Sequence, residues 1–211
     1  MAQIRFADGI RVGTAITLEG TPTVSPGWAR SQIAQESLAQ YPIPWTWWRV
    51  WDAYHTALPG TSATDDLGLI GGTFATASPT IQTSDLKAAG ATTRYARCTI
   101  PIPVEFDAAT DMVLRFHAGM KTTVSDTTAT LDVEAYKSDE EEGIGADLVT
   151  TAATTINSLT LADIDFTVNA ASLSAGDLLD VRIAVAINDG ASGTAVIGLI
   201  GAAHLTCDIR G

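Results

Sequence analysis

Lysine is nearly missing from this chain. Only Lys87, Lys121 and Lys137 occur, and Lys plus Arg number 12 against 24 Asp plus Glu, a formal net charge of -12. Nucleic-acid binding draws on counterion release by clustered Lys and Arg. A chain this acidic, with no basic run, is repelled by phosphate backbones and anionic membrane surfaces, so neither is expected as a partner. Cysteine is equally sparse. Cys98 and Cys207 are too few for a disulfide framework, and both fall in strand-like segments, where buried free thiols are expected rather than a bridge. Long apolar runs are absent too. The longest, 195–203, is interrupted by Gly198 and Gly201, well short of the roughly 20 residues that span a bilayer. The opening Met1-Ala2-Gln3-Ile4-Arg5-Phe6 has no basic stretch followed by an apolar core. No secretory leader is expected, and synthesis in a cytoplasm is.

Catalytic signatures are missing as well: no G-x-S-x-G, H-E-x-x-H, C-x-x-C, P-loop or G-x-G-x-x-G occurs. His55, His117 and His204 are far apart in sequence, and the last two sit at polar positions of strand-like segments. The acidic run at 138–143 follows a strand pattern and matches no calcium-loop spacing, which marks a solvated hairpin tip. Asp65 with Asp66, Asp163 with Asp165 and Asp177 with Asp180 are carboxylate pairs of the kind glycosidases use. Each lies at a turn or strand boundary, where Asp is favoured for backbone reasons alone. No enzyme activity, cofactor or metal is therefore expected.

What is present is a globular composition with an unusual polar share. Hydrophobic residues make up 46%, which is ordinary, but charged residues only 17%, below the usual quarter. Thr, Ser, Ala and Gly fill the difference, a mixture suited to strands, turns and close subunit contacts. The length, 211 residues, is enough for one β-sandwich with an appendage.

Two-residue alternation dominates from residue 47 onward. Met112, Leu114, Phe116 and Ala118 alternate with Val113, Arg115 and His117. Leu131 and Val133, Phe166 and Val168, and Leu179, Val181, Ile183 and Val185 follow the same rule against polar partners. Further strands are expected over 93–102 and 195–209, with weaker ones near 67–74 and 155–161, a total of eight or nine. Turn clusters separate them and no crossover helix intervenes. This pattern predicts an all-β fold of antiparallel sheets, a jelly roll or other β-sandwich.

Residues 1–46 read differently, as an extended N-terminal arm carrying a hairpin and a short helix ahead of a body at 47–211. Asp8-Gly9 between two alternating segments is a hairpin signal. Proline and threonine at 21–27 form a linker, and 28–40 is a helix candidate whose apolar stripe (Ile33, Leu38, Tyr41) is too thin to stand alone. It must dock. Four of the five tryptophans then fall within 45–51, after Pro42 and Pro44. Alternation puts Trp47, Arg49 and Trp51 on one side and Trp48 and Val50 on the other. Either these rings fill one end of the core or they supply an interface. As partner-binding candidates the arm offers Phe6, Ile10, Trp28, Ile33, Leu38, Tyr41, Trp45, Trp47 and Trp48.

Three stretches carry a resemblance: Phe6-Ala7-Asp8-Gly9-Ile10-Arg11-Val12-Gly13; Cys98-Thr99-Ile100-Pro101-Ile102-Pro103 through Leu114-Arg115-Phe116-His117; and Leu173-Ser174-Ala175-Gly176-Asp177-Leu178-Leu179-Asp180-Val181-Arg182-Ile183. The pattern resembles the head decoration (cement) proteins of tailed bacteriophages that have a jelly-roll body. That resemblance implies a non-enzymatic virion protein on the capsid surface, a homotrimer seated where major capsid protein subunits meet. It brings no catalytic residue with it. A different class stays open beside it, a carbohydrate-binding or fibre-associated sandwich module that reads sugars with exposed tryptophans at 45–51.

Overall fold

The computed structural model describes residues 38–85, 89–107, 110–125, 127–138, 143–190 and 193–209. The hairpin at Asp8-Gly9, most of the helix candidate, Phe6, Ile10, Trp28, Ile33 and the acidic residues 139–142 lie outside them. Among the described residues no helix is long and apolar enough to cross a membrane.

Among the described residues eleven strands run in chain order: β1 (Leu38–Pro42), β2 (Gly68–Ile70), β3 (Thr80–Gln82), β4 (Gly90–Pro101), β5 (Met112–Met120), β6 (Thr127–Ser138), β7 (Ile144–Asp147), β8 (Thr154–Thr155), β9 (Ala162–Val168), β10 (Leu178–Asp189) and β11 (Gly198–Asp208). They build two sheets. One is ordered β2-β3-β11-β5-β9, with β1 also on β11; the other is ordered β4-β10-β6-β7, with β8 on β6. Every ladder is antiparallel. The expected all-β sandwich is what forms. Successive long strands alternate between the sheets, so β10 comes to lie between β4 and β6, the non-sequential pairing of Greek-key and jelly-roll folds.

Alternation is what closes the core. Along β5 the inward residues Met112, Leu114 and Phe116 are fully buried, and along β10 so are Leu179, Val181 and Ile183. Leu131, Val133, Phe166 and Val185 join them, all at most 2% exposed. Gly198 faces the opposite sheet, where a Cβ would lie 2.9 Å from Val185 Cγ1. The missing side chain lets β11 approach β10. Gly201 sits where the β11–β5 register slips between Ile200 and Ala202, a bulge.

The boundary expected at 46 lies too late. Leu38–Pro42 is a strand that pairs with β11, and Ile43 N–H donates to Ala203 O at 2.9 Å. Residues 38–46 thus belong to the body, and the helix expected over 28–40 does not extend into 38–40. β11 offers a backbone edge there, and tertiary pairing outweighs local propensity.

Cys98 and Cys207 are free and buried, on inward positions of opposite sheets. Burial, with Asp180 adding to it, drives the Cys98 thiol well above its ordinary pKa. Burial and then Asp208 push Cys207 up to about 11. Since the thiolate is the reactive form, neither thiol should react with a disulfide reagent at neutral pH in the folded protein. Both should react after addition of denaturant. Rapid labelling of either residue in buffer would show that its sheet opens locally.

Candidate functional site

The tryptophan cluster does not act as one surface. A 3₁₀ turn at Trp45–Trp47 follows Pro44. Trp45 is half-buried against the core, Trp47 is 38% exposed, and Trp48 is 1% exposed. The partner-binding assignment of Trp48 is thereby corrected: its ring is core, packed 6.2 Å from Phe116 between centroids. The alternation read from the sequence is real, since Trp48 and Val50 point inward while Trp47, Arg49 and Trp51 do not. These positions make no regular strand. Only Arg49 pairs with β4, exchanging two backbone hydrogen bonds with Arg97 at 2.8 and 3.1 Å.

Two surfaces result. The first is an apolar groove of about 380 Å³ at the edge of β1. Tyr41, Ile43 and Trp47 line it on one side, and residues 100–105, at the end of β4 and just beyond, line it on the other. Val104, 76% exposed, stands on its rim, and Leu38 projects at 66% from the start of β1. Burial, followed by the influence of Cys207 and Glu105, raises the Tyr41 phenol pKa.

The second is a polar groove, also about 380 Å³, on the outer face of the β4-β10-β6 sheet. Arg97 on β4 and Arg182 on β10 lie directly opposite each other, and Arg182 in turn faces Glu134 on β6. Arg97 grips both oxygens of Asp180, and Arg182 Nη2 reaches Glu134 at 2.7 Å. Rings back both guanidiniums. Arg97 lies 5.4 Å from the Tyr54 centroid, and Arg182 lies 5.1 Å from Tyr95 and 5.6 Å from Trp51. Trp51 is fixed by donating from Nε1 to Asp65 Oδ2 at 3.0 Å and by packing on Tyr95 at 5.1 Å. The Tyr136 hydroxyl donates to Glu134 at 3.2 Å; burial, then Glu134, raises its pKa.

Each carboxylate pair singled out in the sequence has at least one member held by a neighbouring side chain. Asp163 and Asp165 sit on β9 opposite His117 and Arg115, at 2.7 Å from His117 and at 2.6 and 2.7 Å from Arg115. Hydrogen bonds from Arg115 hold Asp165 below the usual carboxylate range. Asp177 accepts from the Ser174 N–H in its turn at 2.8 Å and pairs with Lys137 at 2.6 Å. Burial pushes its pKa up, but those partners outweigh it and the net shift is downward. Asp66 moves the other way, raised by burial and by Asp65 and Asp52 against the pull of Arg94. His55 is exposed in a turn and His204 is on β11. Among the described residues no group of three His, Cys, Asp or Glu side chains is placed to hold a metal ion.

Sequence reasoning missed the polar groove. Its pieces lie at outward positions of strands that the sequence does show, but Arg97 and Asp180 are 83 residues apart. Only the register of β4 on β10 brings them together.

No protein-family model matches the chain, and no curated protein matches it. Among solved structures it is similar to the glycoside hydrolase domain of Endo-D from Streptococcus pneumoniae R6, at 11% identity and a TM-score of 0.35. The match covers 63% of this chain and 18% of that one, so the chain spans less than a fifth of its length. At that level the likeness assigns no activity.

Proposed function

We propose that this is a non-enzymatic virion protein, a head decoration protein that stabilises a phage shell by binding as a homotrimer between major capsid subunits. The observation that supports this reading best is the apolar groove at the β1 edge. It is lined by Tyr41, Ile43, Trp47, Ile100 and Ile102, with Val104 exposed on its rim. Such a lining, poor in convergent polar groups, suits a packed protein contact better than chemistry on a small molecule. The arm read from the sequence over 1–46 includes β1, so Tyr41 and Ile43 of the groove lie within the described part of that segment. The low lysine content and the Thr- and Ala-rich strands fit a particle component.

The test is binding to shells assembled from the major capsid protein encoded with this chain. Trp47→Ala and Val104→Asp should each weaken binding about tenfold or more, as expected for anchors at an interface, with an unchanged far-ultraviolet circular dichroism spectrum. Light scattering on the free protein should give three times the 22.0 kDa chain mass. Unchanged affinity of both variants would remove the groove from the contact, and a chain that binds no such shell would end the decoration reading.

A further inference from the structure

We infer that the polar groove on the outer face of the five-stranded sheet is a binding site for a neutral saccharide. The inference is independent of the particle role above, because the two grooves share no lining residue.

The starting point is a pair of like charges that needs compensation. Arg97 and Arg182 are directly opposite across β4–β10, and like charges in that position repel. The repulsion is offset by Asp180 and Glu134 flanking them and by the aromatic rings behind them. Farther along the same outer face smaller residues appear, as at Thr130 and Ala184. The charged quartet is thus gathered where Trp51 and Tyr136 form walls.

Charge decides the ligand class. Two guanidiniums and two carboxylates cancel, and Asp52 at the groove wall adds a negative charge. An anionic ligand would meet carboxylates already in place, and a cation would meet guanidiniums. A neutral ligand rich in hydroxyls meets neither problem. A guanidinium has five N–H donors and a carboxylate about four acceptor positions, more than a mutual bidentate pairing uses. Donors and acceptors placed side by side on the sheet face therefore match vicinal hydroxyls, which both donate and accept. The aromatic walls supply surface for the apolar face of a sugar ring. The volume, about 380 Å³, is within the range of small-molecule sites, about 300–1,000 Å³.

The groove is also held in place before any ligand arrives. Trp51 is locked by Asp65 and Tyr95. Tyr54 backs Arg97 while its hydroxyl accepts from Thr99 N–H at 3.0 Å. Side chains already fixed lose little freedom on binding, which favours affinity.

The experiment is a screen of the full-length protein on an array of neutral and acidic glycans, followed by calorimetry and tryptophan fluorescence with the best neutral oligosaccharide. At least one neutral glycan should bind and perturb the fluorescence. Trp51→Ala and Arg182→Gln should each weaken binding about tenfold, the effect of losing one anchoring contact. Glu134→Gln, which keeps the shape and loses the charge, should do the same if Arg182→Gln proves poorly folded. Circular dichroism reports folding in each case. The inference is overturned by no neutral binder up to about 10 mM, a concentration that would nearly saturate a site with a Kd of about 1 mM. It is equally overturned by binding that survives these substitutions in folded protein, or by acidic glycans binding more tightly than neutral ones. Shell binding by the same variants should be unchanged, which separates this site from the apolar groove.

Discussion

Phe116→Ala should lower the unfolding free energy by about 3–5 kcal/mol, read as a lower denaturant midpoint with a similar slope. Phe116 is in the middle of β5, itself interior in its sheet, with Ala203 opposite on β11 and Ile164 opposite on β9. It is fully buried, 6.2 Å from Trp48 and 6.0 Å from Phe166 between ring centroids, the latter contact edge-on. Removing the ring withdraws aromatic surface on both sides and leaves a space that a rigid sheet cannot close. Ala203 is too small to fill it from the next strand. A loss below about 1 kcal/mol would mean that the two sheets move together to heal the gap.

Trp48→Ala should have an effect of the same size, about 3–5 kcal/mol, although the residue sits among rings that read as an interface. Its side chain is 1% exposed. Its indole N–H is buried without a hydrogen-bond partner among the described residues, so the ring contributes through packing while its donor stays unsatisfied. Trp48→Phe keeps most of the surface and removes that orphan donor, and should cost far less than Trp48→Ala. Trp47→Ala, at an exposed position, should change stability by about 0.5 kcal/mol or less. Because Trp48 and Phe116 touch, the double variant with both alanines should depart from additivity by about 0.5–3 kcal/mol. Equal effects of Trp47→Ala and Trp48→Ala on thermal unfolding would refute this division of the cluster.

Half of that division is legible in the amino-acid sequence. The parity of residues 47–51 shows there, because two-residue periodicity survives even where no regular strand forms. Which parity is core does not show, because both sides carry tryptophan. The long strands are the plainest part. In β5, β6 and β10, strands of nine to twelve residues, one face is apolar over most of the length, long enough to mark a sheet. β7 is exposed at every position and β3 is three residues long, so neither prints a pattern. β1 carries Pro42 and half-buried inward residues, and pairing with β11 makes it a strand. The polar groove is out of reach of any local pattern because its contacts join β4, β6 and β10 across long stretches of chain.

The same long-range pairing bears on how the protein reaches its fold. β10 is matched along its whole length on both sides, from Leu178 opposite Pro101 and Ser138 to Asp189 opposite Gly90 and Thr127. β11 is the strand that joins β5 to β1 and β3. Neither sheet therefore has its central strand until the last third of the sequence has left the ribosome. Such non-local closure places folding toward the slow end for domains of this kind. Until then β4, β5 and β6 expose apolar faces and open edges, the condition under which chains associate with one another or require chaperones. In the finished molecule the amides of β10 should be the last to exchange with deuterium, opening only with the whole fold.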